Sequence, residues 1–306
     1  MSCTLACITV TYHPDFALLM AQLDALPPQA LKLWVDNSAT PAMGDLLQRV
    51  AASRDDLVVL CNAENMGLAA AINAGVRWLV QHRPEVTELL LMDQDSEPLP
   101  GSVSTLQRAL NALQAKGLRV AAVGPALRDV QTGLNHGFHQ IRGWRWSRTQ
   151  PESTAAPLPC HNLNGSGTLL PLAVYQQLGG LDARFFIDHV DTEWAFRAQA
   201  MGYGLYGVPA ACFEHRMGAS SRRIWLFGWR VWPERSAQRH FYLFRNAVRL
   251  LLTPHVPFVW KLWAVPKLVM TLFVTVFTDG QRWTQLSGMF RGIWAGLMPI
   301  PSGREE

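Results

Sequence analysis

Two carboxylates separated by one residue, in Asp93-Gln94-Asp95, are the sharpest chemical feature of the sequence. They directly follow an apolar run, residues 89–92, whose pattern predicts a buried strand. Carboxylates gathered at a strand end can hold a hard divalent cation together with diphosphate oxygens. An Asp-rich turn without a metal is the structural alternative. The position directly after a strand favours the metal site.

A second acidic cluster, formed by Asp188, Asp191 and Glu193, leads into a segment that we predict to be helical through Arg197. Carboxylates in the first turn of a helix are stabilised by the helix dipole. An aspartate there can act as a general base that removes the proton of an attacking hydroxyl. Asp191 or Thr192 can equally cap the helix, so both interpretations stay open on the local sequence.

Three other polar segments can bind a ligand. Asn65 and Gly67 open a helical pattern, where backbone amides favour a phosphate or a polar ring, although Asn65 can also be a simple cap. Residues 163–168 are small enough to line a cramped sugar site, or they form a turn. His215 closes a strand-like stretch and is either structural or serves a metal or a phosphate. GxGxxG and P-loop signatures are absent from the sequence.

Short apolar runs alternate with helical patterns through the first half of the chain, which predicts an α/β fold with a mostly parallel sheet flanked by helices. Asp36 and the pair Asp93 and Asp95 follow such runs, at the strand ends where ligands bind in these sheets. The polar segment 127–159, which contains Trp144 and Trp146, is predicted to be a long excursion over the active face. The predicted strands cover residues 5–10, 31–35, 57–60, 89–92, 120–123 and 205–214.

Composition limits the function classes. Apolar residues make up 49% and charged residues 16% of the 306 positions, which excludes a disordered or solvating module. The 5 cysteines are scattered without a CxxC pair, which argues against a disulfide framework or a structural zinc site and fits a reducing compartment. Residues 1–10 lack the features of a secretory signal peptide.

The charge is unevenly distributed. Residues 1–215 are slightly acidic, whereas residues 216–306 are strongly basic and hold more than half of the 12 Trp residues. We therefore predict a catalytic domain over 1–215 and a mainly helical region over 216–306 that binds an anionic membrane surface. Nucleic acid binding and an ordinary helical subdomain are the alternatives. Pro266 and Lys267 interrupt the apolar run 262–277, and the remaining residues 268–277 are too short to span a bilayer, so this part is expected to be peripheral or buried.

Seven short motifs follow one another along the chain. They are Thr9-Val10-Thr11-Tyr12, Asp36-Asn37-Ser38, Asn65-x-Gly67-Leu68 with Asn73 and Gly75, Asp93-Gln94-Asp95, residues 185–194, His215-x-x-Gly218 and Arg245-Asn246. Taken in order, these motifs resemble glycosyltransferase family 2, and most closely its bacterial rhamnosyltransferase branch. The resemblance covers residues 3–250; beyond Leu250 the chain is similar only in being basic and amphipathic. Where the family commonly has Glu-Asp, this chain has Val190-Asp191, which leaves Asp188 as an alternative base.

The resemblance implies a GT-A fold, with a Rossmann-like sheet. The basic, Trp-rich region 216–306 adds the expectation of a C-terminal helical extension that associates with the membrane. It further implies inverting, metal-dependent transfer of L-rhamnose from dTDP-L-rhamnose, with Mg²⁺ or Mn²⁺, to a hydroxyl of a bacterial cell-surface glycan. The acceptor is expected to be lipid-linked, and the enzyme to be cytoplasmic, at the inner face of the plasma membrane, with no nucleic acid partner. Another sugar nucleotide, a sugar-phosphate nucleotidyltransferase and a non-catalytic scaffold are the rival hypotheses.

The resemblance also assigns site residues. By this resemblance Asp191 is expected to be the catalytic base and Asp95 to bind the metal ion. His215, from its place after the second acidic cluster, is expected to bind the metal as well. Acceptor contacts are expected from Trp144, Trp146, Asp188 and Glu193. The nucleotide sugar is expected to contact Thr11, Tyr12, Asp36, Asn65, Gly67, Asp93, Gln94 and Arg245.

Overall fold

The computed structural model describes residues 4–130, 133–215, 221–225 and 229–299. The chain divides into two compact units, residues 1–186 with 190–217, and residues 187–189 with 218–306. The expected domain boundary after residue 215 stays a prediction, and Gly218 of the His215-x-x-Gly218 motif lies outside the described residues.

The first unit is built on a mixed sheet that is mostly parallel, as predicted. The strand order is β3-β2-β1-β4-β10-β6-β11-β5, and β9 pairs with β11. Strands β3, β2, β1 and β4 are parallel to one another, and β6 is parallel to β11, whereas β10, β5 and β9 are antiparallel to their neighbours. The strands of this unit, including the separate hairpin β7–β8, are β1 (Leu5–Thr11), β2 (Leu31–Asp36), β3 (Leu57–Cys61), β4 (Glu88–Asp93), β5 (Ser96–Pro98), β6 (Val120–Asp129), β7 (Phe138–Arg142), β8 (Arg145–Thr149), β9 (Leu158–Cys160), β10 (Thr168–Pro171) and β11 (Gly204–His215).

The central parallel strands are buried on both faces, which explains their continuous apolar sequences. All six residues of β2 are buried. Lys32 is the cationic member of this strand, and its ammonium group donates to the Asp56 carboxylate at 2.7 Å. This ion pair lets the aliphatic stem of Lys32 pack in the core while its charge is neutralised.

Six helices accompany the described strands of the first unit. Gly75 of α3 packs on β2, where an added methyl group would come within 3.1 Å of the Val35 side chain. Absence of a side chain therefore allows α3 to lie close to the sheet. The helices are α1 (Phe16–Ala25), α2 (Pro41–Ala51), α3 (Leu68–His82), α4 (Ser102–Ala115), α5 (Leu172–Gln177) and α6 (Val190–Ala200), and a 3₁₀ turn covers Ala183–Phe185.

The segment predicted as a polar excursion is partly structured. Strand β6 continues to Asp129, and β7 and β8 form an antiparallel hairpin. The Trp146 ring in β8 stacks on the His139 ring, with the ring centres 5.1 Å apart. It also packs edge to face with the Phe196 ring of α6, at 6.1 Å between ring centres. Trp144, between the two strands, is 70% exposed. Cross-strand pairing and the Trp146 contacts give this polar sequence a fixed structure that its composition did not reveal.

The second unit contains a hairpin and three helices among its described residues. Gly288, Gly292 and Gly296 of α9 face α7, and a methyl group added at Gly292 would lie 2.4 Å from the Phe241 carbonyl oxygen. Glycines four residues apart thus let the two helix backbones touch. The elements are β12 (Ser221–Trp225), β13 (Trp229–Pro233), α7 (Ala237–Leu252), α8 (Phe258–Thr278) and α9 (Arg282–Leu297).

The predicted interruption at Pro266 is wrong, because α8 runs through it for 21 residues. A proline inside a helix removes one backbone hydrogen bond, at a cost of about 3 kcal/mol. The apolar helix-forming turns on both sides outweigh that loss. The most apolar 18-residue stretch of α8 has a mean hydropathy of 1.5, so α8 is long and apolar enough, by length and composition, to cross a bilayer. Of that stretch, 28% is buried.

Candidate active site

The carboxyl ends of β1, β2 and β4 carry the first group of predicted site residues. In the parallel register Thr11 lies beside Asp36, and Val10 lies beside Asp93. Asp36 is buried and its Oδ1 accepts hydrogen bonds from the Thr11 hydroxyl at 2.8 Å and the Ser38 hydroxyl at 2.7 Å. These donors hold the Asp36 carboxylate in one orientation at the carboxyl end of β2.

The loops that follow β1 and β4 are bonded to each other. Gln94 accepts from the Tyr12 amide at 2.7 Å and donates to the Tyr12 carbonyl at 3.2 Å. The Tyr12 ring is 51% exposed. An exposed aromatic ring on a backbone fixed in this way can stack on a planar ligand.

Gln22 of α1 is a positioning residue that the sequence reasoning missed. It is 1% exposed, and its Nε2 donates to the carbonyls of Asp93 and Ser96, both at 2.6 Å. Its Oε1 accepts from the Thr9 hydroxyl at 2.7 Å. Gln22 therefore ties both sides of the Asp93–Ser96 turn to the core. A glutamine within an otherwise apolar helix face was the available signal, since buried amides need specific partners.

Asp93, Asp95 and His215 form a cluster whose potential ligand atoms all lie within 4.8 Å of one another. Strand β11 pairs with β5 so that His215 lies opposite Ser96. The Ser96 hydroxyl lies 2.6 Å from His215 Nδ1, and Asp95 Oδ1 lies 3.5 Å from the same nitrogen. Two carboxylates and one imidazole fit the preferences of Mn²⁺, and the carboxylates also suit Mg²⁺. The structure thus brings together two residues predicted to bind metal, Asp95 and His215, with Asp93.

The Asn65–Gly67 loop opens α3, but Asn65 is not its cap. Gly67 occupies the cap position with a φ of 82° and no side-chain cap. Asn65 Oδ1 accepts from the Gly67 amide at 3.0 Å, and Asn37 Nδ2 donates to the Gly67 carbonyl at 3.0 Å. A methyl group at Gly67 would lie 2.6 Å from the Phe186 ring. Glycine is required here by both the backbone angle and the close ring.

Asp191 and Glu193 lie in the first turn of α6, as predicted, but in different environments. Asp191 Oδ1 accepts from the Thr192 amide at 2.8 Å. Glu193 is buried and pairs with Arg197 at 2.8 Å. Burial lowers the pKa of Arg197, but the hydrogen bonds that it donates to the Glu193 carboxylate raise this pKa above its ordinary value. This ion pair gives Glu193 a structural role; its acceptor contact stays a prediction.

Asp188 and Arg245 belong to the second unit. Asp188 accepts from Arg239 at 3.3 and 3.4 Å. The Arg245 Nε donates to Asn246 Oδ1 at 3.0 Å, and its guanidinium lies 4.7 Å from the centre of the Tyr242 ring. Asn246 in turn donates to the carbonyls of Ile187 and Asp188, both at 2.8 Å. Asn246 therefore holds the 187–189 segment, and Arg245 is bonded to the Asn246 side chain.

We expect Gln22→Leu to lower the free energy of unfolding by about 2 kcal/mol, because it removes the two hydrogen bonds that the Gln22 amide donates to the carbonyls of Asp93 and Ser96. It should also weaken Mn²⁺ binding several-fold, since the Asp93–Ser96 turn loses its anchor. Urea unfolding and Mn²⁺ titration measure the two effects. The control is Gln48→Leu on α2, which removes one bond to the Val59 carbonyl of β3 and should leave Mn²⁺ affinity unchanged. Wild-type Mn²⁺ affinity in Gln22→Leu would contradict the anchoring role.

Comparisons with known proteins agree with this geometry. The family model described as Glycosyl transferase family 2 matches residues 33–175. The chain is 27% identical over 300 residues to the dTDP-rhamnosyl transferase RfbF of Shigella flexneri, covering 97% of this chain and 95% of that one. It is 25% identical over 252 residues to the N-acetylglucosaminyl-diphospho-decaprenol L-rhamnosyltransferase of Mycobacterium tuberculosis. This match covers 73% of this chain and 79% of that one.

Solved structures show the same fold at low identity. The mannosyltransferase PcManGT of Pyrobaculum calidifontis, solved with GDP-Man and Mn²⁺, has a TM-score of 0.54 at 16% identity and covers 96% of this chain and 87% of that one. GalNAc-T7, solved with UDP, GalNAc and Mn²⁺, has a TM-score of 0.58 at 16% identity. The match covers 81% of this chain and 47% of GalNAc-T7. Both are GT-A glycosyltransferases. The chain is thus similar to glycosyltransferase family 2 over residues 33–175, and to rhamnosyltransferases over most of its length.

Proposed function

We propose that the enzyme transfers L-rhamnose from dTDP-L-rhamnose to a hydroxyl of a lipid-linked bacterial glycan, with inversion and with Mg²⁺ or Mn²⁺. The observation that carries the donor is the similarity to a dTDP-rhamnosyl transferase over 97% of the chain. The lipid-linked acceptor is supported by the second relative, whose name describes a diphospho-decaprenol acceptor.

The proposed donor site follows the carboxyl edge of the sheet. Asp36 and Thr11 bind the base and ribose, with the exposed Tyr12 ring stacked on the base. Asn65 and Gly67 border the same site, because the Gly67 carbonyl is bonded to Asn37, directly after Asp36. Gln94 fixes Tyr12 through its two bonds to that backbone.

Asp93, Asp95 and His215 are the residues that would hold the metal ion. Their oxygen and nitrogen donors, within 4.8 Å, support Mn²⁺ or Mg²⁺. A bound divalent cation neutralises negative charge on the diphosphate leaving group. Arg245 is proposed to add positive charge for the diphosphate.

The transfer itself needs one base. The acceptor oxygen attacks the anomeric carbon of rhamnose as the bond from that carbon to the diphosphate oxygen breaks. Asp191 takes the proton from the attacking hydroxyl, and the dTDP leaves with the bonding electron pair. A single displacement inverts the anomeric centre and requires no second carboxylate nucleophile. Trp144 and Trp146 are proposed to stack on acceptor sugar rings.

The donor and metal assignments predict ligand-dependent stabilisation. We expect dTDP-L-rhamnose with Mn²⁺ to raise the melting temperature, because a ligand that binds the native state stabilises it by mass action. Asp95→Asn should reduce this shift strongly and leave the metal-free melting temperature nearly unchanged, since Asp95 is half-buried at a loop. Thermal unfolding with a panel of sugar nucleotides measures it. A larger shift with a UDP- or GDP-sugar would overturn the donor.

The base assignment predicts a separation of binding from catalysis. Asp191→Asn keeps the size of the side chain and cannot accept the hydroxyl proton, so we expect transfer to fall by at least about 100-fold with donor binding retained. Asp188→Asn, the matched control, should lower transfer far less, because Asp188 is paired with Arg239. Initial rates with saturating donor measure both. The opposite order of losses would assign the base to Asp188.

We propose that helices α8 and α9 bind the inner face of the plasma membrane, in contact with an anionic surface. Large apolar side chains on both helices are exposed, in a region whose sequence is rich in Lys and Arg. Exposed aromatic and aliphatic residues beside basic ones are typical of membrane-surface helices. The most exposed are Phe258, Phe273, Phe277, Trp283, Phe290 and Trp294.

Membrane binding predicts a salt-sensitive association. Purified enzyme should sediment with liposomes that contain anionic lipid at low salt and much less at about 1 M salt, where surface charges are screened. Phe277→Ser with Trp283→Ser should lower binding about tenfold, whereas Trp144→Ser, which removes an equally exposed aromatic ring from the first unit, should not. Failure to bind at low salt would contradict the proposal. Retention at high salt and alkaline pH would instead indicate that α8 spans the bilayer.

A further inference from the structure

We propose that Asn162 positions the base Asp191 through Thr192 and, with its other amide atom, binds a hydroxyl group of a substrate sugar in the adjoining pocket. The inference rests on the proposed function, because it takes Asp191 as the base. It adds Asn162, which lies outside the sequence motifs, and gives a positioning role to Thr192, which lies within the motif 185–194.

The pocket lies within the first unit, between the end of β6, the hairpin β7–β8 and the loop that precedes β10. Its walls include Phe138, His139, Asn162, Asn164 and Ser166. The Ser166 hydroxyl accepts from the Asp93 amide at 3.3 Å. One wall is therefore bonded directly to the loop of the proposed metal site.

A second lining residue, Asn162, is connected to Asp191. Asn162 Nδ2 donates to the Thr192 hydroxyl oxygen at 3.2 Å, and the Thr192 hydroxyl donates to Asp191 Oδ1 at 3.4 Å. Because the Thr192 oxygen already accepts from Asn162, its own proton is turned toward Asp191. The Thr192 amide donates to the same carboxylate oxygen at 2.8 Å. Two donors from one residue thus hold the carboxylate, and Asn162 sets the direction of one of them.

The second amide atom of Asn162 is left for a ligand. Asn162 is 8% exposed, and its Oδ1 is buried with no hydrogen-bond partner among the residues that the structure describes. A buried carbonyl oxygen without a partner is costly, and a sugar hydroxyl is a donor that would satisfy it. The residue therefore joins substrate binding and base orientation in one side chain.

Several other charged or titratable side chains lie on α6 and on the pocket side of Asn162. On α6, Glu193 and Arg197 pair with each other. On the pocket side, burial lowers the pKa of His161, and Arg148 donates to His139. Burial and the Arg148 charge also lower the pKa of His136. Burial therefore favours the neutral form of His136 and His161 at pH 7.

The test compares Thr192→Val and Asn162→Ala with wild type in steady-state transfer assays across pH. Thr192→Val keeps the shape of the side chain and removes the hydroxyl bond, so we expect kcat to fall about tenfold with both KM values unchanged. Loss of a hydrogen bond to a carboxylate raises its pKa, so the acid limb of the pH–rate profile should move to higher pH. Asn162→Ala should show the same shift.

Asn162→Ala should in addition raise the KM of one substrate several-fold. A rise in the donor KM assigns the hydroxyl to the transferred sugar, and a rise in the acceptor KM assigns it to the acceptor sugar. Asn162→Ser is the second variant if Asn162→Ala does not fold. Ser102→Ala removes a buried hydroxyl that bonds Cys212, far in sequence from these residues, and should lower the melting temperature with kinetics and pH profile unchanged.

Three results would overturn the inference. An unmoved pH profile in Thr192→Val, with Asp191→Asn inactive, would exclude the positioning role and leave the proposed function intact. Unchanged KM values in Asn162→Ala would exclude the sugar contact. Full transfer by Asp191→Asn would instead show that the base assignment itself is wrong.

Discussion

Backbone hydrogen bonds between the parallel strands β2, β1 and β4 hold Thr11 beside Asp36 and Val10 beside Asp93. Residues far apart in the chain reach one edge because parallel strands end at the same side of the sheet. The loops that carry the other candidate site residues of this group start from this edge of the sheet. The Asp36 carboxylate is bonded across it by Thr11, and Gln94 bonds the loop after β4 to the loop after β1.

Buried polar side chains turn this edge into a fixed surface. Gln22 anchors the turn that carries the two aspartates, and its three bonds leave no part of the amide unsatisfied. On the other side of β4, the β11–β5 pairing brings His215 to the same turn from more than a hundred residues away in sequence. Such networks are stable only when every member is paired, so they also limit movement of the ligands they hold. The cluster of Asp93, Asp95 and His215 is therefore supported from the core and from the sheet.

The second unit meets different physical demands. Its helices α7 and α9 pack backbone to backbone through three glycines, which leaves large aromatic side chains of α8 and α9 on the outside. A soluble surface rarely carries so many exposed aromatic residues without a partner. In the same unit, Asn246 binds the short segment 187–189, so a motif residue next to Arg245 stabilises the chain on which Asp188 lies.

The sequence alone determined the α/β architecture, the position of Asp93 and Asp95 after a strand and the place of Asp191 in the first turn of a helix. These depend on local apolar patterns and on where they stop. Only the tertiary structure revealed the role of Gln22, the bonds from Asn162 to Thr192 and from Thr192 to Asp191, and the structured hairpin within 127–159. It also showed that α8 continues through Pro266. A single polar residue produces no repeating pattern in the sequence, and its hydrogen-bond partners lie on other helices and strands. Hydrogen bonds between distant segments and packing around a helix therefore cannot be derived from local sequence.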